Sequence, residues 1–282
     1  MAGSLYVVST PIGNLDDITV RALNTLKAVA LAAAEDTRRT GLLLRHFGIP
    51  TPVTSLHEHN EAEKLPVLLA RLAGGADIAL VSDAGTPLVC DPGQRLISEA
   101  VQSGIRVVPI PGASAVLAAL SASGYPGEQF VFAGFAPSRA KDRKQWLGEF
   151  VSEPRTIIFF EAPHRIASTL QDMAELFGVR PITIARELTK LHESIIHTTA
   201  EKAAGAEILE KGELTIVVAP LAGVSESKGI VDDATLNEYF CHMTENTQLS
   251  RRAAAAATAA KFGLSPNEVY ARLERHKAGG PS

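Results

Sequence analysis

The sequence predicts an α/β protein built from two α/β domains, the halves of its main body, a largely parallel sheet followed by a mixed one, with a small C-terminal helical domain behind them. Three observations predict it. Short apolar runs alternate with helix-like segments from residue 5 onward, the pattern of βα units and a parallel sheet. After "SGYPGEQ" (123–129) strand-like runs outnumber helices, which implies mixed pairing. After Pro220 the polar stretch "LAGVSESKG" reads as a linker to three further helices. The boundaries expected are 1–115, 116–222 and 231–278.

In the first half "LYVVS" precedes "ITVRALNTLKAV", where Ile18, Ala22, Leu26 and Val29 keep helical spacing. "AVALAAAE" is Ala-rich, short and closed by a charge, so it reads as a buried strand before "TRRTGLLLRHFG". "VTSL" leads to "NEAEKLPVLLARLAGG", in which Pro66 is expected to kink or restart the helix. "DIALVS" leads to "DPGQRLISEAVQSG", with Asp91 expected as N-cap and Pro92 in the first helical position. "RVVPI" and "GASAVLAALSASG" complete the half. In the second, "FVFAGF", "TIIFFE", "PITIAREL", "ESIIHTT" and "GELTIVVAP" read as strands, and "KDRKQWLGEF", "PHRIASTLQDMAELFG" and "AEKAAGAEIL" as helices. The last helices are expected near 233–245, 249–262 and 265–277. Ser265-Pro266-Asn267-Glu268 forms a capping box, and "KFGLS" is similar to the turn of a helix-turn-helix.

Composition narrows the function. Apolar residues at 46% and charged residues at 21% suit a globular protein. The N-terminal "MAGSLYVVST" has no signal-peptide pattern, so a cytoplasmic location and no membrane span are expected. Only Cys90 and Cys241 occur, and the eight His form no HExxH, so neither a disulfide scaffold nor a metal site is expected. The net charge of −4 argues against bulk nucleic-acid binding. From residue 247 onward, however, six Lys/Arg stand against only Glu268 and Glu274. A basic appendage on an acidic body points to an anionic partner.

No GxGxxG follows the first strand and no GxxxxGK[ST] occurs, so neither a nicotinamide fold nor a P-loop is supported. The turn "SDAGTPLVCDPG" (82–93) places Asp83 where it would repel a phosphate. It is shaped for something neutral or cationic.

The ordered motifs "STPIGNLDDIT", "AEDTRRTGLLL", "HEHNE", "SDAGTPLVCDPG", "IPGASA", "FVFAGFAP", "FFEAPHRI" and "ARELTKLHE" span residues 6–193. Together they resemble the tetrapyrrole methylase superfamily of S-adenosylmethionine (SAM) methyltransferases. Within it they are similar to the branch that methylates a ribose 2′-oxygen of a cytidine in 16S ribosomal RNA. Arg139 stands where that branch is expected to carry Lys, which keeps the charge and changes the donor geometry. The resemblance implies SAM as cofactor, folded in a cleft between the two halves. It implies a pocket of Pro11, Ser82, Asp83, Ala84, Gly85, Thr86 and Ser114 from the first half, and Phe130, Glu161 and Ala219 from the second. A homodimer follows from the resemblance alone, as does 16S rRNA within the small subunit as partner.

Methyl transfer needs alignment along the S–CH₃ axis and a group to take the 2′-OH proton, worth about 10²–10⁴-fold. The candidates are Glu161, His164, Glu187, Glu193 and Lys190, with Arg165 or Arg186 holding a flanking phosphate. Arg38, Arg39, Arg139, Lys141, Arg143, Lys144, Arg251 and Arg252 are the candidate RNA contacts. Two alternatives stay open: a SAM enzyme acting on a tetrapyrrole, which would not require the basic tail, and a non-catalytic SAM- or RNA-binding module.

Overall fold

The computed structural model describes residues 2–206, 211–221, 233–245, 250–262, 264 and 266–278. Residues 1–220 form one compact unit and 221–282 a second.

The first unit carries two five-stranded sheets. In the first, β1 (Ser4–Val8), β2 (Leu31–Ala34), β3 (Val53–Ser55), β4 (Ile78–Val81) and β5 (Arg106–Ile110) run in the order β3-β2-β4-β1-β5. Every pairing is parallel. The helices α1 (Val20–Ala28), α2 (Thr37–His46), α3 (Glu61–Ala73), α4 (Gln94–Gln102) and α5 (Ala115–Ser123) follow the strands in turn. β2 and β4 are buried along their whole length, as their unbroken apolar runs require. All five strand-end loops therefore emerge at one edge, where open α/β sheets bind ligands.

The second sheet comprises β6 (Phe130–Phe135), β7 (Thr156–Glu161), β8 (Pro181–Arg186), β9 (Ser194–Thr199) and β10 (Leu214–Val218), in the order β6-β7-β10-β8-β9. β6 and β7 are parallel and the remaining pairings antiparallel. Helices α6 (Ala140–Glu149), α7 (Ile166–Phe177) and α8 (Ala200–Ala204) pack on it through Leu147, Leu170, Met173 and Ala203. The register aligns Glu161, Leu214 and Arg186 in one row across the sheet. An apolar cluster including Val116 and Leu120 of α5, Ile12, Ile158, Leu188 and Val217 joins the halves.

In the second unit α9 (Asp233–Glu245), α10 (Arg251–Phe262) and α11 (Pro266–Ala278) pack around Leu236, Phe240, Ala255, Val269 and Leu273. Ser265 and Gly263, and with them the expected capping box and helix-turn-helix turn, lie outside the described residues, as do residues 222–229 of the expected linker and residues 207–209 of the last expected helix in the second half. Among the described residues no helix is long and apolar enough to cross a membrane.

Two local expectations are corrected. α3 runs unbroken through Pro66, so the helix does not restart there. α4 starts at Gln94 behind a left-handed Gly93 (φ +110°), so Asp91 is not its N-cap. The loop from Ser82 to Gly93 stays irregular further than its capping pattern suggests, which frees the Asp91 side chain for the site.

Candidate active site

A cavity of about 390 Å³ lies between the two halves of the first unit, within the range of ligand pockets. Its floor is made by the strand-end loops of the first sheet, and those loops are tied together. Thr10 and Gly85 exchange both backbone hydrogen bonds, at 2.9 and 3.0 Å. The Ser9 and Thr86 hydroxyls are 2.9 Å apart, and Thr86 Oγ1 donates to Ala113 O at 3.2 Å. Gly85 sits at φ +80° with the Ile12 methyl 3.3 Å from where a Cβ would stand. A side chain there would be strained by its backbone and crowded as well.

The second half closes over this floor. Asn14 N donates to Thr189 Oγ1 at 3.0 Å. A Cβ on Gly13 would lie 2.5 Å from Lys190 Cγ and 2.9 Å from Leu188 O. The motif "STPIGN" thus needs Gly13 because "RELTK" presses directly against it. Phe135, Phe160, Glu161, Ala162, Pro163, Leu214 and Thr215 form the facing wall.

The floor is acidic. Glu35, Asp83 and Asp91 all line the cavity. Asp83 Oδ1 accepts from Asp36 N at 2.9 Å, and its Oδ2 stands 3.6 Å from Arg39, so it fastens the neighbouring loop. Burial and then the nearby Glu35 charge push the Asp91 carboxyl up to about 6, while a hydrogen bond from Ser82 works the other way. Burial, followed by the Asp83 charge, also raises Glu35. Among the described residues neither Glu35 nor Asp91 has a Lys or Arg within ion-pair distance. Neither carries a local signal of a site residue: Glu35 lies inside "AEDTRRT", and Asp91 carries a helix-cap pattern.

Residues 4–204 match the family described as Tetrapyrrole (Corrin/Porphyrin) Methylases. The chain belongs to this family. It is 50% identical to a Pseudomonas aeruginosa protein named Ribosomal RNA small subunit methyltransferase I, over 95% of this chain and 96% of that one. A Haemophilus influenzae protein of the same name is 45% identical over 96% of each chain. Among solved structures the chain is similar to uroporphyrin-III C-methyltransferase from Thermus thermophilus, complexed with S-adenyl homocysteine. That likeness has a TM-score of 0.53 and 19% identity, over 76% of this chain and 97% of the other, and it shows the fold alone.

In this member of the tetrapyrrole methylases, Asp83, Ala84, Gly85, Thr86, Ser114 and Glu161 line the cavity. Pro11 and Ser82 are buried behind the floor, where Ser82 Oγ bonds the turn's own carbonyls of Ala84 and Gly85 at 3.4 Å. Phe130 and Ala219 sit at the opposite end of the second sheet from the cavity, a correction to the expected lining. Phe130 pairs with Thr156, five positions before Glu161. Ala219 follows the far end of β10 and accepts from Arg180 Nε at 2.7 Å.

The catalytic candidates of the second half are held by one another. Glu161 is buried and accepts from Ala162 N and Arg165 Nη2, each at 2.7 Å, and from the Thr169 hydroxyl. Arg165 and Glu161 thus fasten the turn after β7. Lys190 Nζ bonds Glu187 at 2.8 Å and Glu213 at 3.0 Å. Burial works against its charge, but these two hydrogen bonds prevail and raise its pKa, which favours the protonated form over the role of base. The same Lys190 contact lowers Glu187. Glu193 accepts from Thr189 N at 2.6 Å, and Arg186 donates to His192 O at 3.0 Å. His164 is exposed and outside the cavity lining.

The candidate RNA contacts divide sharply. Arg143 is corrected: it is 3% exposed and binds Asp172 of α7 at 2.7 Å through both Nε and Nη2. Lys144 pairs with Glu175 at 2.7 Å. Arg139, Lys141, Arg251 and Arg252 are exposed. Arg38 is exposed and paired with its neighbour Asp36 at 2.7 Å. Arg39 is 62% exposed at the cavity's edge.

Proposed function

We propose that the chain transfers a methyl group from SAM to the ribose 2′-OH of a cytidine in 16S ribosomal RNA. Relatives at 45–50% identity over nearly full length carry the name of a small-subunit rRNA methyltransferase. The observation that carries the cofactor reading is the acidic cavity floor. Glu35, Asp83 and Asp91 surround a space that suits a sulfonium and an ammonium group and repels a phosphate. Phe135 and Phe160 on the facing wall add aromatic faces for a cation.

When bound, SAM supplies an activated methyl carbon on a positive sulfur. The chain's own residues supply the rest. The stitched loops at Thr10, Gly85 and Thr86 fix the floor, and the 187–190 loop seals its edge against Gly13, which favours alignment and excludes water. Arg39 at the rim is placed to meet a phosphate, and Arg38, Arg139, Lys141, Arg251 and Arg252 add sequence-independent affinity. A cytidine has to leave its stack to reach such a cavity. We assign the active form as a homodimer acting in the cytoplasm on the small subunit.

The test is a methyl-transfer assay with labelled SAM. Small ribosomal subunits from cells lacking this protein should take up label at a cytidine ribose in 16S RNA. Uroporphyrinogen-type substrates should not. Label on the macrocycle alone would refute the RNA reading, and failure to bind SAM by calorimetry would refute the cofactor.

A further inference from the structure

The charged groups that face the cavity differ in how far they are already satisfied. Glu161 is enclosed by Arg165, Ala162 N and Thr169. Glu213 receives Lys190. Asp83 receives Asp36 N and Arg39. The Cys90 thiol is pushed up by burial and by Asp91, so it stays protonated. Glu35 and Asp91 remain: both line the floor, the Glu35 charge acts on Asp91, and among the described residues neither forms a salt bridge, although a backbone hydrogen bond at Asp83 and the Arg39 charge act on Glu35. Asp91 also sits on a loop whose backbone is forced into left-handed conformations at Leu88 (φ 75°) and Cys90 (φ 66°). Backbone held in such conformations clusters at functional sites.

We propose, resting on the methyl-transfer reading above, that the Asp91 carboxylate takes the proton from the attacking ribose 2′-hydroxyl, with Glu35 as its positioning neighbour. The balance is simple. The O–H bond breaks and its proton passes to an Asp91 oxygen. The hydroxyl oxygen's pair forms the new O–CH₃ bond, the S–CH₃ bond breaks, and its pair stays on sulfur as a neutral thioether. The base thus comes from the first half, and none of the second-half candidates is required. A carboxyl lifted to about 6 is well matched to that task near neutral pH, being ionised before the reaction and basic enough to hold the proton after it.

The experiment is steady-state and single-turnover methyl transfer to small subunits across pH 5–8. The parent protein's kcat/KM should fall on the acid side with an apparent pKa near 6. Asp91→Asn should lose about 10²–10⁴-fold in the single-turnover rate at saturating SAM, a loss that the weaker SAM binding expected of the acidic floor does not account for. Glu35→Gln removes the like charge and should shift the acid limb to lower pH. An Asp91→Asn protein that keeps its rate, or loses only SAM affinity, overturns the base assignment. So does a Glu35→Gln limb that does not move. Absence of transfer by the parent protein overturns the substrate reading itself, which separates the two failures.

Discussion

The two sides of the cleft handle charge in opposite ways. On the mixed-sheet side the carboxylates and cations are bonded to one another: Glu161 with Arg165, Glu187 and Glu213 with Lys190, Arg143 with Asp172. On the parallel-sheet side the loops are joined by backbone and hydroxyl contacts, at Thr10–Gly85 and Ser9–Thr86–Ala113. That leaves Glu35 and Asp91 without a salt bridge among the described residues. Charges in the second half hold architecture, whereas in the first, beside the paired Asp36 and Asp83, the Glu35 and Asp91 carboxylates are open to a ligand. A charged residue beside a cavity is therefore a poor guide to chemistry until its partners are known.

Substitutions can break or sharpen this contrast. The largest effect is expected at Arg143→Ala, which leaves the buried Asp172 carboxylate only the longer Lys144 contact at 3.6 Å among the described residues and should cost about 3 kcal/mol of stability, the low end for a broken buried pair. Urea unfolding measures it, and RNA affinity of the folded protein should be unchanged. A stable variant with weakened RNA binding would reverse the correction made for this residue. Next is Gly85→Val, which places a β-branched residue at φ +80° against Ile12. It should cost about 1–3 kcal/mol and lower SAM affinity together, by thermal melting and calorimetry.

Smaller effects follow from pH. The folded protein raises the Asp91 carboxyl from 3.8 to about 6, so it holds this proton more tightly than the unfolded chain does. That contribution to stability is fully present below pH 3.8 and is lost as pH rises through about 6. In the unliganded protein Asp91→Asn should therefore raise Tm by roughly 2–4 °C at pH 7.5 relative to the parent, and much less at pH 4. An equal shift at both values would mean that Asp91 is not the titrating group. The smallest effect belongs to the exposed cations. Lys141→Ala should weaken RNA binding slightly and reduce its log–log salt slope by about 0.7–0.9, whereas Lys144→Ala, paired with Glu175, should change the slope less.

Much of the fold was legible in the sequence because it follows from local patterns. Apolar runs alternating with helical spacing placed the strands of both sheets, and the change in strand density marked the mixed sheet. The three final helices fell within about two residues of their expected ends. What local patterns could not reveal was partnership. Arg143 looks like one of a basic run, yet it shares a helix face with buried Leu147 and meets Asp172, 29 residues away in sequence. Asp91 carries a helix-cap pattern, yet the chain stays irregular to Gly93. Phe130 and Ala219 belong to the right sheet at the wrong end.

The sequence alone determined the class of the protein, the order of its elements, and a turn at 82–87 unsuited to phosphate, because periodicity, turn chemistry and charge sign are properties of neighbouring residues. Only the tertiary structure decided which carboxylates stay open. Whether Glu161 or Asp91 meets a cation depends on helices and loops that arrive from distant parts of the chain. Burial and the charge of Glu35, not the residue type, set the state of Asp91.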